Sequence, residues 1–281
     1  MNMSRRQRQH LASRALDALT VAFVLVLIFP IIWLFLTAFK PQDQMFDNPW
    51  LVWPRSVTLD NFSSIWNSLG FKVAFRNSLI VSALTSLIVT SVAMGAAFSL
   101  SRFRYRLSGT FAAMILALQM IPGIVLVVPL ITTMRKVHLT DNLQGLVVAY
   151  LLIGLPVAVW MLKGYLDDIP RDLDEAAMVD GATQIQVLRH ILLPLIAPAA
   201  TAVAAFVFLM AWGEYLFAVS LITSTDYKTL PLALQAAFGQ YSIDWGMLIA
   251  GGAIISLPPA LLFMFFQRYL VGGLTAGGVK G

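Results

Sequence analysis

The 281-residue chain is 59% hydrophobic and only 12% charged, against about 45–50% apolar and about 25% charged in soluble domains. So little charge cannot coat a water-facing globule, which excludes a soluble enzyme, a disordered chain and a nucleic-acid-binding domain. The excess of 19 Lys and Arg over 14 Asp and Glu then reads as membrane topology, and zero cysteines with three scattered histidines exclude disulfides, thiolate chemistry and a His-rich metal centre.

A membrane-crossing helix needs about 20 apolar residues. The first charge-free stretch of that length is 18–39. Its apolar run is too long for a signal-peptide core, and no small-x-small cleavage site precedes Phe39. It is followed by a long segment, 40–76, carrying Trp50, Trp53, Phe62 and Trp66. That is too aromatic for a solvated linker and suits a membrane surface or an outer mouth. The second and third spans are 77–101 and 107–134, separated by Arg102, Arg104 and Arg106. The fourth is 142–162. A stretch at 191–225, broken only by Glu214, is too long for one upright span. Pro194 and Pro198 are expected to mark an interfacial entry, with the span beginning near Ala199. The last span is 245–267. Pro30, Pro122, Pro129, Pro156, Pro258 and Pro259 fall inside these helices, where neighbouring helices can satisfy the freed backbone groups. The expectation is an all-α membrane protein with six transmembrane helices.

Lys and Arg in short loops set orientation. Placing both termini in the cytoplasm puts 12 Lys/Arg inside and 7 outside. The N-terminal tail, the 102–106 loop, the 163–190 loop and the C-terminus are then cytoplasmic, and 40–76 and 224–244 are external. Arg102, Arg104 and Arg106 are most simply the positive-inside anchor. His190 is expected at the membrane interface and His138 in an outer loop, both as ordinary polar residues.

The loop 163–190 holds six of the fourteen acids: Asp167, Asp168, Asp172, Asp174, Glu175 and Asp180. Pro170 suits a first-turn position, and the acids after it favour a helix N-terminus. Gly181 is a natural left-handed stop. Thr183 and Gln186 have capping-box spacing for a second helix that runs into the membrane. Leu173, Ala176, Ala177 and Asp180 share one helical face. A plain connector does not need about 28 residues with two capped helices. A docking element does, with small alanines for close approach and acids to pair with a basic partner surface.

The run Glu175, Ala176, Ala177, then Gly181, then Ile191, Leu193 and Pro194 resembles the signature E-A-A-x3-G-x9-I-x-L-P of the membrane subunits of bacterial ABC importers. The flanking Ile169-Pro170 and Asp174 to Thr183 are similar to the carbohydrate branch, and Gln267 to Gly281 is similar to the end of MalG-like permeases. The resemblance covers the chain from about Asn61 onward. It implies an ABC importer type I transmembrane domain. The division it suggests is a cytoplasmic tail 1–17, a transmembrane domain 18–270 with its permease core at about 75–270 and coupling loop at 163–196, and a cytoplasmic tail 271–281.

The same resemblance implies roles. Glu175, Ala176, Ala177, Asp180, Gly181, Ile191 and Pro194 would couple to an ATPase subunit dimer. Thr275, Gly277 and Lys280 would reach into its interface. No cofactor is expected on this chain; ATP and Mg would sit on the partner ATPase. The further partners are a second, MalF-like permease, an extracytoplasmic sugar-binding protein and the lipid bilayer of the bacterial inner membrane, without nucleic acid. The substrate would be a carbohydrate or related glycoside.

Inside the predicted spans Glu214 is the only acid, and an acid there is expected to face a partner or a watery cavity. Trp212 and Tyr215 beside it are candidates to stack on a sugar ring. Gly213 stands where carbohydrate permeases often carry Asn. Gln119, next to Pro122, is a further cavity candidate, although an amide in a span also serves as helix–helix glue. No Walker motif, catalytic triad or paired carboxylates are visible, so the chain is not expected to be an enzyme. An alternative is a proton-coupled secondary transporter working through Glu214, but such proteins often carry inverted repeats and none is evident here. An integral membrane enzyme is disfavoured because the polar groups do not cluster at one interface.

Overall fold

The computed structural model describes residues 5–47, 51–68, 70–103, 106–237 and 243–276, with 5–12, 236–237 and 268–276 described by their backbone alone. Its elements are helices: α1 Arg5–Ala38, α2 Gln42–Asp47, α3 Asp60–Asn67, α4 Phe71–Arg102, α5 Ser108–Leu118, α6 Gly123–Lys136, α7 Leu143–Asp167, α8 Asp172–Val179, α9 Gln184–Gln186, α10 Leu193–Trp212, α11 Leu216–Leu221, α12 Leu230–Ala233 and α13 Trp245–Ala276. A π-helical turn, Val187–Leu192, joins α9 to α10 in one rod, Gln184–Trp212. Five of the described helices are long and apolar enough to cross a membrane. A sixth crossing would need the pair α5 and α6, which is bent by 96°.

That bend divides the single third span, 107–134, expected from the sequence. Pro122 has no N–H to donate and cannot continue α5. Gln119, Met120 and Ile121 instead close tight turns onto Leu116, Ala117 and Leu118 at 3.0, 3.0 and 3.3 Å. Pro122 then stands at the start of α6. The fifth span also differs. Pro194 lies in the first turn of α10 and Pro198 inside it, both within the one rod, and the rod ends at Trp212, before Glu214. The π-turn explains how Pro194 is tolerated. The N–H of Leu193 reaches back to the carbonyl of Leu188, so the wider turn makes room where a proline ring would crowd a regular helix. Pro30, Pro129, Pro156, Pro258 and Pro259 do lie inside helices.

The chain divides into two compact units. The first comprises residues 1–68 and 236–256. Here α1 exposes its apolar residues from Leu16 to Ile32, as a lipid-facing helix should. Asn61 ties down its end and the residues just past it: Nδ2 donates to Ala38 O at 3.0 Å and Lys40 O at 2.7 Å. Phe62 packs on Phe39 at 4.9 Å between ring centroids. Trp53 is open and Trp66 partly so; Trp50 lies outside the described residues. The Lys40 ammonium donates to the Leu51 carbonyl and sits 5.6 Å over the Trp33 ring.

The second unit comprises residues 69–235 and 257–281. α4 packs along α7 and α10, and α10 on α7. Ala93, Ala97, Ala158 and Ala202 are buried where these helices meet, since small side chains let backbones approach in a membrane. Val89, Leu162, Leu166, Val187, Leu192 and Val203 complete one core. A second core gathers Val81, Leu130, Leu146, Tyr150, Phe217 and Leu221. Polar groups on α4 tie it to its neighbours. Ser86 Oγ donates to Ala204 O at 2.6 Å, and Asn77 Nδ2 donates to the carbonyls of Asp226 and Lys228 at 2.8 and 3.0 Å. Ser78 Oγ accepts the N–H of Leu230 at 2.8 Å.

Between α6 and α7 the chain turns through His138 and Asp141, both with positive φ. Asp141 Oδ1 accepts the N–H groups of Thr223 and Ser224, each at 2.9 Å. These bonds hold its carboxyl below the usual aspartate range.

Candidate functional site: the acidic loop and its helix

The end of α7 leads through Ile169 and Pro170 into α8. Pro170 lies just outside the helix, which begins at Asp172 with Asp172, Asp174 and Glu175 in its first turn. The N–H of Asp180 closes onto Ala176 O and that of Gly181 onto Met178 O, both at 3.1 Å. Gly181 then adopts φ +88°, the left-handed conformation that its position past the helix end requires. Thr183 starts the next helix with a full capping box. Its N–H donates to Gln186 Oε1 at 2.8 Å, and its Oγ1 accepts the Gln186 N–H at 3.4 Å. Both features were legible in the residue types alone.

α8 has two unlike edges. Leu173, Glu175, Ala176, Val179 and Asp180 are exposed and Ala177 is half-buried. Val179 is 87% exposed and Leu173 45%, so the helix offers a free apolar and acidic surface. The opposite edge is fixed by Asp174, which is 6% exposed and pairs with Arg102 Nε at 2.5 Å. Arg102 also donates from Nη1 to Leu166 O at 2.9 Å and from Nη2 to Ile169 O at 3.1 Å. Ser101 Oγ donates to Asp167 Oδ1 at 2.6 Å, and Arg171 Nη2 donates to Ser101 O at 2.5 Å.

This extends one expectation and corrects another. Arg102, expected as part of a positive-inside anchor, is also a buried bolt between elements. Asp174 is paired inside the chain, not held out for a basic partner. The sequence carried a faint signal: Asp174 and Ala177 lie three apart, on the side of α8 away from Val179. Nothing local marked Arg102 out from Arg104 and Arg106; Arg104 lies outside the described residues.

The motif residues do not form one patch. Glu175 to Gly181 belong to α8 and its stop. Ile191 is half-buried in the π-turn and Pro194 lies exposed in α10. Thr275 falls in the last turn of α13 with its side chain outside the described set, and Gly277 and Lys280 lie outside the described residues.

Glu214 stands in the break between α10 and α11, not within a span helix. Its two carboxylate oxygens accept the N–H groups of Phe217 at 2.8 Å and Ala218 at 3.1 Å. A carboxylate here satisfies the free donors at the start of α11 and suits the positive end of that helix. The buried Tyr150 hydroxyl lies beside it. Trp212 is 2% exposed, stacked on Phe208 at 5.7 Å and edge-on to Phe75 at 5.9 Å. Tyr215 is 39% exposed, and its hydroxyl accepts from Gln235 Nε2 at 2.6 Å. So Trp212 and Tyr215 do not present one sugar-sized face. Gln119 is exposed and donates to Ile153 O at 3.3 Å, which is the glue arrangement. Among the described residues no group of His, Cys, Asp or Glu is placed to hold a metal ion.

Comparison with known proteins places this arrangement. Residues 89–275 match the family described as binding-protein-dependent transport system inner membrane component. The chain is similar to the inner membrane ABC transporter permease protein YcjP of Escherichia coli, 34% identical over 92% of this chain and 93% of that one. It is similar to the sulfoquinovosyl glycerol transport system permease protein SmoH of Agrobacterium fabrum, 32% identical over 90% of this chain and 89% of that one. It is also similar to the trehalose/maltose transport system permease protein MalG of Thermococcus litoralis, 34% identical over 93% of this chain and 94% of that one. The fold is shared with a chain of a bacterial ABC transporter that imports the acidic polysaccharide alginate. There the TM-score is 0.74 at 20% identity, covering 96% of this chain and 99% of that chain. The family match and these relatives give the assignment: the chain belongs to the family of inner membrane components of binding-protein-dependent transport systems, and is an ABC transporter permease.

Proposed function

We propose that this permease is one of two membrane subunits of an ATP-driven importer for a carbohydrate or glycoside, and that α8 is its docking helix for an ATPase subunit dimer. One observation supports this above the rest. α8 keeps an apolar and acidic edge exposed while its other edge is bolted to α4 and α7. A helix fixed so firmly and left half-bare is suited to receive a load from a partner. Glu175 would pair with a basic group there, and Leu173, Ala176 and Val179 would fill an apolar cleft. ATP and Mg would be bound and used on the ATPase, so this chain supplies no catalytic group.

The Lys and Arg balance of 12 to 7 supports an orientation with α8 and both termini in the cytoplasm. In that frame 163–196 is the coupling loop of a core at about 75–270, and the tail 271–281, with Thr275, Gly277 and Lys280, extends toward the ATPases. A MalF-like permease would complete the path, and an extracytoplasmic binding protein would deliver the sugar. The carbohydrate class rests on relatives such as the trehalose/maltose permease. Along the path, Tyr215 with its exposed ring is a better substrate contact than buried Trp212, and Glu214 acts chiefly by holding the start of α11.

The test is uptake by proteoliposomes holding the permease pair, the ATPase and the binding protein. ATP-dependent uptake of a sugar retained by the binding protein supports the reading. Uptake that follows a pH gradient and ignores ATP overturns it.

A further inference from the structure

The last turn of α4 collects an unusual set of bonds. Arg102 is paired with Asp174 with both side chains almost fully buried, at 5% and 9% exposure. A buried charge pair is seldom retained for stability alone, because desolvation offsets much of the attraction. Here the guanidinium also takes the carbonyls of Leu166 and Ile169. Ser101, beside it, holds Asp167 through its hydroxyl and Arg171 through its carbonyl. Two adjacent residues thus grip the end of α7, the linker, and both the entry and the first turn of α8.

The other end of α4 is gripped as well. Asn77 holds the carbonyls of Asp226 and Lys228, and Ser78 holds the N–H of Leu230. Both residues are buried. Between the two ends runs an unbroken helix of 32 residues, about 48 Å long at 1.5 Å per residue. It contains no proline, and kinks usually need a proline, a π-bulge or an inserted group.

We propose that α4 is a rigid strut and that Arg102 is the positioning residue that pins it to α8, so that a displacement of α8 is delivered to the segment 225–230 at the far end of the helix. The inference rests on the docking reading of α8. Arg102, buried and partnered inside the chain, acts through Asp174. A loose joint here would let α8 move with its ATPase while α4 stayed behind.

The experiment uses the reconstituted complex with Arg102→Gln, Asp174→Asn, and the double exchange Arg102→Asp with Asp174→Arg. Sugar taken up per ATP hydrolysed is measured. A fluorescent label at Tyr227→Cys, in a chain without native cysteine, reports nucleotide-driven change at the far end of α4. The single variants are expected to copurify with the ATPase and hydrolyse ATP, while uptake per ATP falls about tenfold, within the usual range of a coupling energy. The nucleotide response at 227 should be lost with it. The double exchange should recover part of both. Should the single variants fail to assemble, recovery of assembly and coupling in the double exchange carries the same conclusion. Single variants with normal uptake per ATP and a normal response at 227 overturn the proposal, as does a double exchange that assembles and stays uncoupled. Failure of the docking reading looks different: Glu175→Lys, on the exposed edge of α8, would then leave the ATPase bound and normally stimulated.

Discussion

The carboxylate of Glu214 accepts the backbone N–H of Phe217 at 2.8 Å, and its second oxygen accepts that of Ala218 at 3.1 Å. This makes the acid a cap for α11, so its removal should act first on structure. Glu214→Gln keeps one acceptor and loses the charge; it should lower stability by about 1 kcal/mol. Glu214→Leu strips both donors and should cost about 2–3 kcal/mol. Thermal unfolding of the purified complex checks the order. A Glu214→Gln protein with unchanged unfolding but altered sugar selectivity would instead make Glu214 a path residue.

Glu175 stands exposed on the free edge of α8. Glu175→Lys should leave the helix intact and the protein in the membrane. It should abolish uptake-coupled ATP turnover, because a reversed charge repels a basic partner group. ATP hydrolysis by the purified complex, with and without binding protein and sugar, checks this; normal stimulation sinks it.

Gly181 sits at φ +88° with nothing within 4 Å of where a Cβ would project. Substitution there is a pure backbone effect. Gly181→Val should cost about 1–3 kcal/mol and disturb assembly with the ATPase more than insertion. Gly181→Asn should be milder, since asparagine tolerates this conformation. Copurification yield of the ATPase separates the two, and equal, normal yields would refute the strain argument.

Gly145 offers the opposite case. A Cβ there would stand 1.8 Å from the Leu139 carbonyl oxygen, at the first turn of α7 where Asn142 caps the Gly145 N–H at 2.7 Å. Gly145→Ala should cost about 3 kcal/mol or more, as backbone cannot yield that far. Gly109→Ala, with open space around it, should be neutral or slightly stabilising. Membrane expression of the two variants side by side tests the contrast.

Asp141 binds the N–H groups of Ser224 and Thr223, which hold its carboxyl below the ordinary range. Its folded pKa is depressed, so its contribution is complete above the unfolded value of about 3.9. It is lost as pH falls through the lower, folded value. Asp141→Asn should therefore lower the unfolding temperature at pH 7, and the gap to the unmodified protein should narrow on acidification below pH of about 4. A gap independent of pH would refute this.

Part of this architecture is written in residue types. The capping box of Thr183 and Gln186, the stop at Gly181 and the long apolar runs each depend on neighbours within a turn or two, so the chain announces them. What it hides depends on distant partners. Arg102 reads as one of three loop arginines until α8 folds back and Asp174 meets it. Pro122 and Pro194 look alike in the sequence, yet one ends a helix in a 96° bend and the other is absorbed by a wider turn. The end of α10 at Trp212 was also obscured, because the residues after the break are as apolar as those before it.

The wider turn at Val187–Leu192 has a bearing on the chain's tolerance of insertion and deletion. A π-turn holds one residue more than the regular helix it replaces. The extra residue is taken up within that turn, so losing one residue from 187–192 would let the rod close into an uninterrupted α-helix with Gly181 and α8 at nearly the same angle about its axis. A residue lost from a regular part of the rod has no such slack. Everything upstream would then rotate by about 100°, one residue's share of a turn of 3.6, and α8 would be swung off the end of α4. The rod can thus change its length at the π-turn far more freely than elsewhere along it.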